Sequence, residues 1–427
     1  MPEDIDVVVI GAGQAGLATS HELGLRGVDH VVLEASEPGS SWLGRWDSFT
    51  LVGPNHTVRL PGAPYSGDDP GGFMSRTEIA DHLQAYAGRL GRVRAGVPVR
   101  RLARREGGGF ELRTDGEVIR SRVVVVATGA YQRAVRPTAV AGLGPAVPCI
   151  DVPSYRNPAG VPDGAVLVVG SGQSACQIAE ELVRSGRDVV MACGRAPWFP
   201  RRVGGRDLFE WLLDSTFYEQ TPDQLASPAA RHGANVQASG AGGGHDLHYR
   251  TLAGLGVRLA GHLLAIDEQS ARFAPDLAEV IAAGDAGFRF VRDTIVALCQ
   301  ESGVPVPDIP EPGPLDTSAP ARLDLRGFGA VVVATGFRSR YTEWIDVPGL
   351  VDAQGFPVHV DGESVVAPDL HFVGVHFLRR RRSSLLFGVG DDATATANRI
   401  ATRFRLPTPG PSTGAGTLRS GSAPRPK

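Results

Sequence analysis

Two stretches of this sequence have the residue types and spacing to hold a dinucleotide phosphate. In the first, the apolar run Asp6-Val7-Val8-Val9-Ile10 leads straight into Gly11-Ala12-Gly13-Gln14-Ala15-Gly16. A helix-spaced segment follows (Leu17 to Leu23), and then a second apolar run ending at Glu34. Each glycine has a physical role. Gly11 permits a tight turn, Gly13 lets backbone approach a pyrophosphate, and Gly16 lets helix and strand pack closely. The free N–H groups of the helix start favour the phosphates, and a carboxylate at Glu34 can accept both ribose hydroxyls. The second stretch repeats the plan. The strand Ala165-Val166-Leu167-Val168-Val169 opens into Gly170-Ser171-Gly172-Gln173-Ser174-Ala175 and a helix through Leu182. Ala175 replaces the third glycine, which the fingerprint allows. Glu34 lies 23 residues after Gly11, and the same count from Gly170 lands on Cys193, with Arg195 two residues later. Without an acid to repel it, a 2′-phosphate can pair with arginine, so this site favours NADPH over NADH. Arg201 and Arg202 are further candidates for that phosphate. The same arginines also read as a solvated face.

The elements that must position these turns are legible as pattern. Two more apolar strands end in Ala-Thr-Gly: one at Ala127-Thr128-Gly129, the other at Ala334-Thr335-Gly336. They flank the second fingerprint, which suggests an α/β fold with two Rossmann-like domains, the NADPH domain inserted into a discontinuous first domain. The expected boundaries are 1–160, 161–325 and 326–406, followed by a disordered Pro-, Gly- and Ser-rich tail over 407–427. Between Val97 and Val126, alternation around Gly107-Gly108-Gly109 and Asp115-Gly116 predicts a small antiparallel meander. Ser75 and Glu78 form a capping-box pair that opens a helix over 75–90. A last helix near Asp391 would offer its N-terminus to a cofactor.

The paired fingerprints, the two Ala-Thr-Gly strands, Ser41-Trp42-Leu43-Gly44-Arg45-Trp46 and the approach from Pro158 to Ala175 together resemble the class B flavin monooxygenases. The likeness is to the bacterial flavin-containing type, over roughly residues 5–200 and 325–400. The resemblance implies FAD in the first site and NADPH in the second. Hydride would pass from NADPH to FAD, and the reduced flavin would capture dioxygen as a C4a-(hydro)peroxide that oxygenates a small organic substrate. It also implies that Trp42, Arg45 and Trp46 contact flavin or NADPH. Asn55 matches an asparagine that lies beside the flavin in the family, an amide able to donate and accept hydrogen bonds without protonating the peroxide. A turn asparagine after Pro54 is the alternative. The chain departs from the family where a histidine usually precedes the second fingerprint. That position is Asp151, with Tyr155 as the following aromatic, which puts efficient oxygenation in question. No tryptophan-based ending expected of Baeyer–Villiger enzymes follows Tyr155, so N or S oxygenation is favoured over ester formation.

Composition narrows the remainder. Over 427 residues, a formal net charge of −3 and 21% charged residues give no electrostatic case for nucleic acid. No apolar run is long enough to span a membrane, no secretory signal is evident, and the four scattered cysteines form no CxxC pair. These features point to a cytoplasmic chain whose partners are a small substrate and dioxygen, with a homodimer left open. His245, Asp246 and His248 lack further ligands at metal-site spacing. The segment from Asp276 to Gln300 has an apolar helical face that either covers the active site or is plain core. Two other functions stand beside the monooxygenase: an NADPH:acceptor reductase without oxygenation, and a cofactor-binding redox sensor without turnover.

Overall fold

The computed structural model describes residues 2–233 and 235–406, so the expected tail over 407–427 lies outside the described residues. Two mixed α/β halves are built around two sheets. In the first sheet, Glu3–Ile10 pairs in parallel with His30–Leu33 on one side and with Val118–Val126 on the other. The long strand Val118–Val126 has two further partners. Phe110–Arg113 runs antiparallel to its start, and Leu370–Phe372 runs parallel to its end. With Arg101–Arg104 paired to Phe110–Arg113, this is the meander expected from the glycine turns. The four residues Val7 to Ile10 are all buried, as befits a parallel strand covered on both faces.

The second sheet is a five-stranded parallel sheet. Its order is Cys149–Asp151, Phe328–Val333, Ala165–Val169, Val189–Ala192 and Arg258–Ala260. This corrects the expected partition. Phe328–Val333 does not return to the first sheet: it pairs with Ala165–Val169, beside the second fingerprint, and Cys149–Asp151 is its edge neighbour. The reason is steric. The carbonyl of Ala127 would lie 2.7 Å from a Cβ at Gly11, and that of Ala334 would lie 2.5 Å from one at Gly170. Each Ala-Thr-Gly strand thus packs against the first glycine of its own fingerprint. An antiparallel meander of Leu263–Asp267, Ser270–Phe273 and Arg322–Asp324 completes the second half, matching the one in the first.

The helix Arg76–Leu90 carries the complete capping box of Ser75 and Glu78. The helix Leu277–Ser302 buries Val280, Phe288, Val291 and Ile295. Phe288, Val291 and Ile295 share one cluster with Trp198, Phe199, Trp211, Phe217 and Tyr218, so the apolar face is packed core. The last helix, Val389–Arg403, lies on the first fingerprint helix, where Arg26 Nε donates to Asn398 Oδ1 at 2.7 Å. No helix among the described residues is long and apolar enough to cross a membrane.

Candidate functional site

Both fingerprint helices start bare. Gln14–Leu25 begins at Gly13 and Gln173–Arg184 at Gly172, and neither has a side-chain cap. Their first N–H groups are therefore available to an anion. A Cβ at Gly13 or Gly172 would meet no atom within 4 Å, whereas one at Gly16 would stand 1.8 Å from the Gly11 carbonyl oxygen. The middle glycines face open space of the kind a pyrophosphate fills, and Gly16 is fixed by packing. Ala15 and Ala175 are buried in the first turns of these helices.

The two second-strand ends differ. Glu34 accepts the Ala12 N–H at 2.7 Å and the Ser36 N–H at 3.0 Å, so its carboxylate is held beside the glycine turn. At the equivalent place in the second half, Cys193 is buried with its thiol pushed up to about 12 by burial. Arg195 is exposed there and makes no ion pair among the described residues, as a 2′-phosphate ligand should be. Arg201 and Arg202 are engaged within the protein. Arg201 is buried, its Nε 2.7 Å from Asp207 and its Nη1 donating to the Val52 carbonyl at 2.7 Å. Arg202 donates to the carbonyls of Gly243 and Gly244.

The sites meet at one junction. The chain leaving Gly129 and the chain leaving Gly336 pair with each other as a short antiparallel ribbon, Arg133–Ala134 against Phe337–Arg338. Thr335 Oγ1 donates to the Val135 carbonyl at 2.6 Å, and Gln132 Nε2 donates to Thr128 Oγ1 at 2.9 Å. Tyr131 and Phe337, each just past one of these turns, meet edge to face at 5.4 Å. The Arg45 guanidinium lies 5.2 Å from the Tyr131 ring, 6.0 Å from Phe337 and 5.9 Å from Phe49, with no carboxylate paired to it among the described residues. A cation held by three rings and no acid is poised for an anionic or electron-rich ligand. His376 meets Tyr131 at 5.1 Å, and its Nδ1 is 2.7 Å from Ser384 Oγ. Burial pulls the imidazole down to about 4, so it is neutral at pH 7. Gln14 Nε2 donates to the Ser384 carbonyl at 3.2 Å, which ties this corner to the first phosphate turn.

Other expected site residues fall outside this junction or are committed within the protein. Trp46 is buried and packs edge to face on Phe49 at 5.2 Å, while Trp42 leaves its indole N–H without a partner among the described residues. Asn55 is buried, with Nδ2 donating to the Asp69 carbonyl at 2.9 Å and Oδ1 accepting the Met74 N–H at 2.6 Å. That amide braces the 69–74 loop and keeps one N–H uncommitted. Asp151 forms an ion pair with Arg136 at 2.8 Å on the edge of the second sheet. In the second fingerprint, Ser171 Oγ donates to the Gly194 carbonyl and accepts its N–H. The Gln173 amide likewise closes on the backbone of Ala238, so both side chains hold the turn in shape. Ser174 follows in the first turn of that helix. The Asp391 carboxylate pairs with Arg382 at 2.9 Å at the surface, while the neighbouring Asp392 is the buried one. The phase of the helix, which starts at Val389, turns Asp391 outward. His245 pairs with Glu180 at 2.7 Å.

Sequence reasoning missed Tyr131, Phe337 and His376. The available signal was the aromatic that follows each Ala-Thr-Gly turn within two residues.

Residues 8–206 match the family model described as pyridine nucleotide-disulphide oxidoreductase. The CzcO-like oxidoreductase of Geobacillus kaustophilus is 28% identical over 409 residues, covering 94% of this chain and 99% of its own. The flavin-containing monooxygenase from Stenotrophomonas maltophilia superposes with a TM-score of 0.67 at 21% identity, over 94% of this chain and 99% of that one. The relatives matched over nearly the whole chain are named as oxidoreductases, and the fold is shared with flavin-containing monooxygenases. The chain's fold is that of the two-domain flavin monooxygenases and reductases. Over part of its length it is also similar to indole-3-pyruvate monooxygenase YUCCA1 of Oryza sativa subsp. japonica. That match is 32% identical over 209 residues, 47% of this chain and 51% of the relative.

Proposed function

We propose that this chain is a flavin-dependent, NADPH-consuming monooxygenase, holding FAD in the half built on Gly11–Gly16 and NADPH in the half built on Gly170–Ala175. The observation that carries the reading is the ribbon of Arg133–Ala134 and Phe337–Arg338, through which both nucleotide turns open onto one junction. In this reading Glu34 receives the ribose of FAD and Arg195 the 2′-phosphate of NADPH. Bound FAD supplies the redox chemistry by taking hydride from NADPH and activating dioxygen. The chain's own residues orient and shield. Arg45 sits among Phe49, Tyr131 and Phe337, and His376 is held neutral there. Buried Trp46, Phe49 and Leu51 keep water from the wall behind them. No cysteine pair is available as a relay, since all four thiols are free and Cys176, Cys193 and Cys299 are buried. Oxygenation at N or S is the favoured outcome, and the name of the partial relative YUCCA1 supports oxygenation of a small organic molecule.

The second reading is an NADPH:acceptor reductase. The Asp151–Arg136 ion pair, at the position where the resemblance leads one to expect histidine, favours it. The experiment is anaerobic reduction with NADPH followed by oxygen, in the presence of amines, sulfides and ketones. Monooxygenation predicts product formed in proportion to NADPH consumed. Hydrogen peroxide as the sole product with every substrate supports the reductase. Asn55→Ala sharpens the test: with its spare N–H directed to the oxygen chemistry, NADPH-driven reduction persists while peroxide release rises roughly five- to a hundredfold.

A further inference from the structure

Arg379 to Arg382 form a run of four arginines, and three of them are neutralised. Arg379 faces Asp361 and Asp392, Arg380 pairs with Glu219 at 2.7 Å, and Arg382 bridges Glu219 and Asp391 at 2.9 Å each. Arg381 has no carboxylate partner among the described residues. Its guanidinium turns inward, 4.5 Å from the Phe217 ring and 5.1 Å from the Phe377 ring, and its only hydrogen-bond acceptor among the described residues is the neutral amide of Gln220. Phe377 takes a left-handed backbone, φ 51°, a costly conformation for a bulky residue, and so puts its ring beneath this cation. Burial without a counter-ion pulls the pKa of Arg381 down, the mark of a charge that is short of a partner.

The neighbours give the missing partner a shape. Phe217 lies edge to face with Tyr218 at 5.0 Å, and Tyr218 in turn meets Phe387 at 4.8 Å and Phe209 at 6.5 Å. The Tyr218 hydroxyl, on a buried side chain and influenced by the cations of Arg381 and Arg201, makes no hydrogen bond among the described residues. Phe209 lies against Gly53, and Phe377 follows His376 of the junction, so this aromatic wall adjoins the proposed reaction centre.

We propose that Arg381, with the Tyr218 hydroxyl, binds the carboxylate of a substrate whose flat apolar body lies against Phe209, Tyr218 and Phe387. An arginine presents paired donors to the two carboxylate oxygens, and aromatic walls exclude the water that would otherwise weaken the pair. The inference deepens the proposed function by naming its substrate class, and its test requires no turnover. The FAD-loaded protein is titrated calorimetrically with phenylacetate and with phenylacetamide, which differ only in the charged group. The acid should bind at least about tenfold more tightly than the amide. Arg381→Met should erase that preference while FAD content is kept, and Arg381→Lys should restore part of it. Arg380→Met, which removes an outward pair with Glu219, should leave it intact. Equal affinity for acid and amide in the unmodified protein overturns the inference, whatever the variants do. So does a preference that survives Arg381→Met. A preference for the acid in a protein that never oxygenates would refute the monooxygenase and keep the carboxylate site; equal use of neutral and anionic substrates would do the reverse.

Discussion

In the first half of the molecule Glu34 reaches back to the Ala12 N–H and stands where a ribose would sit; in the second half the equivalent place holds buried Cys193 and exposed Arg195. Everything around that difference is shared. Gly13 and Gly172 have nearly the same backbone, φ −81° and −71°, and each starts a helix with no side-chain cap. Gly11 and Gly170 each pack on the carbonyl of an Ala-Thr-Gly strand. On the proposed reading one scaffold serves two nucleotides, and the side chain at the end of the second strand decides which. The halves also differ in their third fingerprint residue, Gly16 against Ala175, and in their cover, since only the first lies under the helix Val389–Arg403.

The largest expected effect separates the third positions. A methyl group at Gly16 would stand 1.8 Å from the Gly11 carbonyl oxygen. Gly16→Ala should therefore cost roughly 3 kcal/mol or more and yield protein poor in FAD. The second half already carries alanine there, so Ala175→Gly should cost no more than about 1 kcal/mol, through helix propensity alone. Comparable denaturation midpoints for the two variants would break the comparison.

Next comes the helix that covers the first half alone. Burial raises Asp392 from 3.8 to about 6. The folded protein therefore holds this proton more tightly than the unfolded chain. The resulting penalty is absent below the unfolded value of 3.8 and fully present above about 6. Asp392→Asn should stabilise the protein by roughly 2–3 kcal/mol at pH 8, with the gain vanishing near pH 4. Melting temperatures measured across that range check it, and destabilisation at pH 8 would show that the Asp392 charge is needed instead.

The smallest effect is the most specific. Arg195→Glu should lower the NADPH-to-NADH preference by about ten- to a hundredfold, the worth of one charged hydrogen bond. Equal weakening of both cofactors would deny Arg195 the 2′-phosphate.

Both nucleotide halves were legible because glycine turns between apolar strands are local signals. Gly13 and Gly172, Glu34 and Arg195 stand in the structure as their spacing implies, and so does the Ser75 capping box. The error lay in Phe328–Val333. Its apolar run is as compatible with one parallel sheet as with the other, and only long-range pairing with Ala165–Val169 settles the choice. The presence of one Ala-Thr-Gly turn for each fingerprint was the clue. The junction was harder to see. Arg45, Tyr131, Phe337 and His376 lie far apart in the chain and meet through the ribbon that joins the halves, a tertiary contact with no periodicity to announce it. Which of Asp391 and Asp392 is buried depends on where the helix begins, and the sequence pattern does not fix that residue.

The division of labour between the halves is tested most directly by anaerobic NADPH titration of Gly13→Val and Gly172→Val beside the unmodified protein, with flavin absorbance as the readout. A valine side chain would fill the open space over each helix start. The account predicts that Gly13→Val is purified without flavin. Gly172→Val should keep a full complement of FAD that dithionite bleaches but NADPH does not. A Gly172→Val protein whose flavin is bleached by NADPH as readily as the unmodified one, or a Gly13→Val protein that stays yellow, would contradict it.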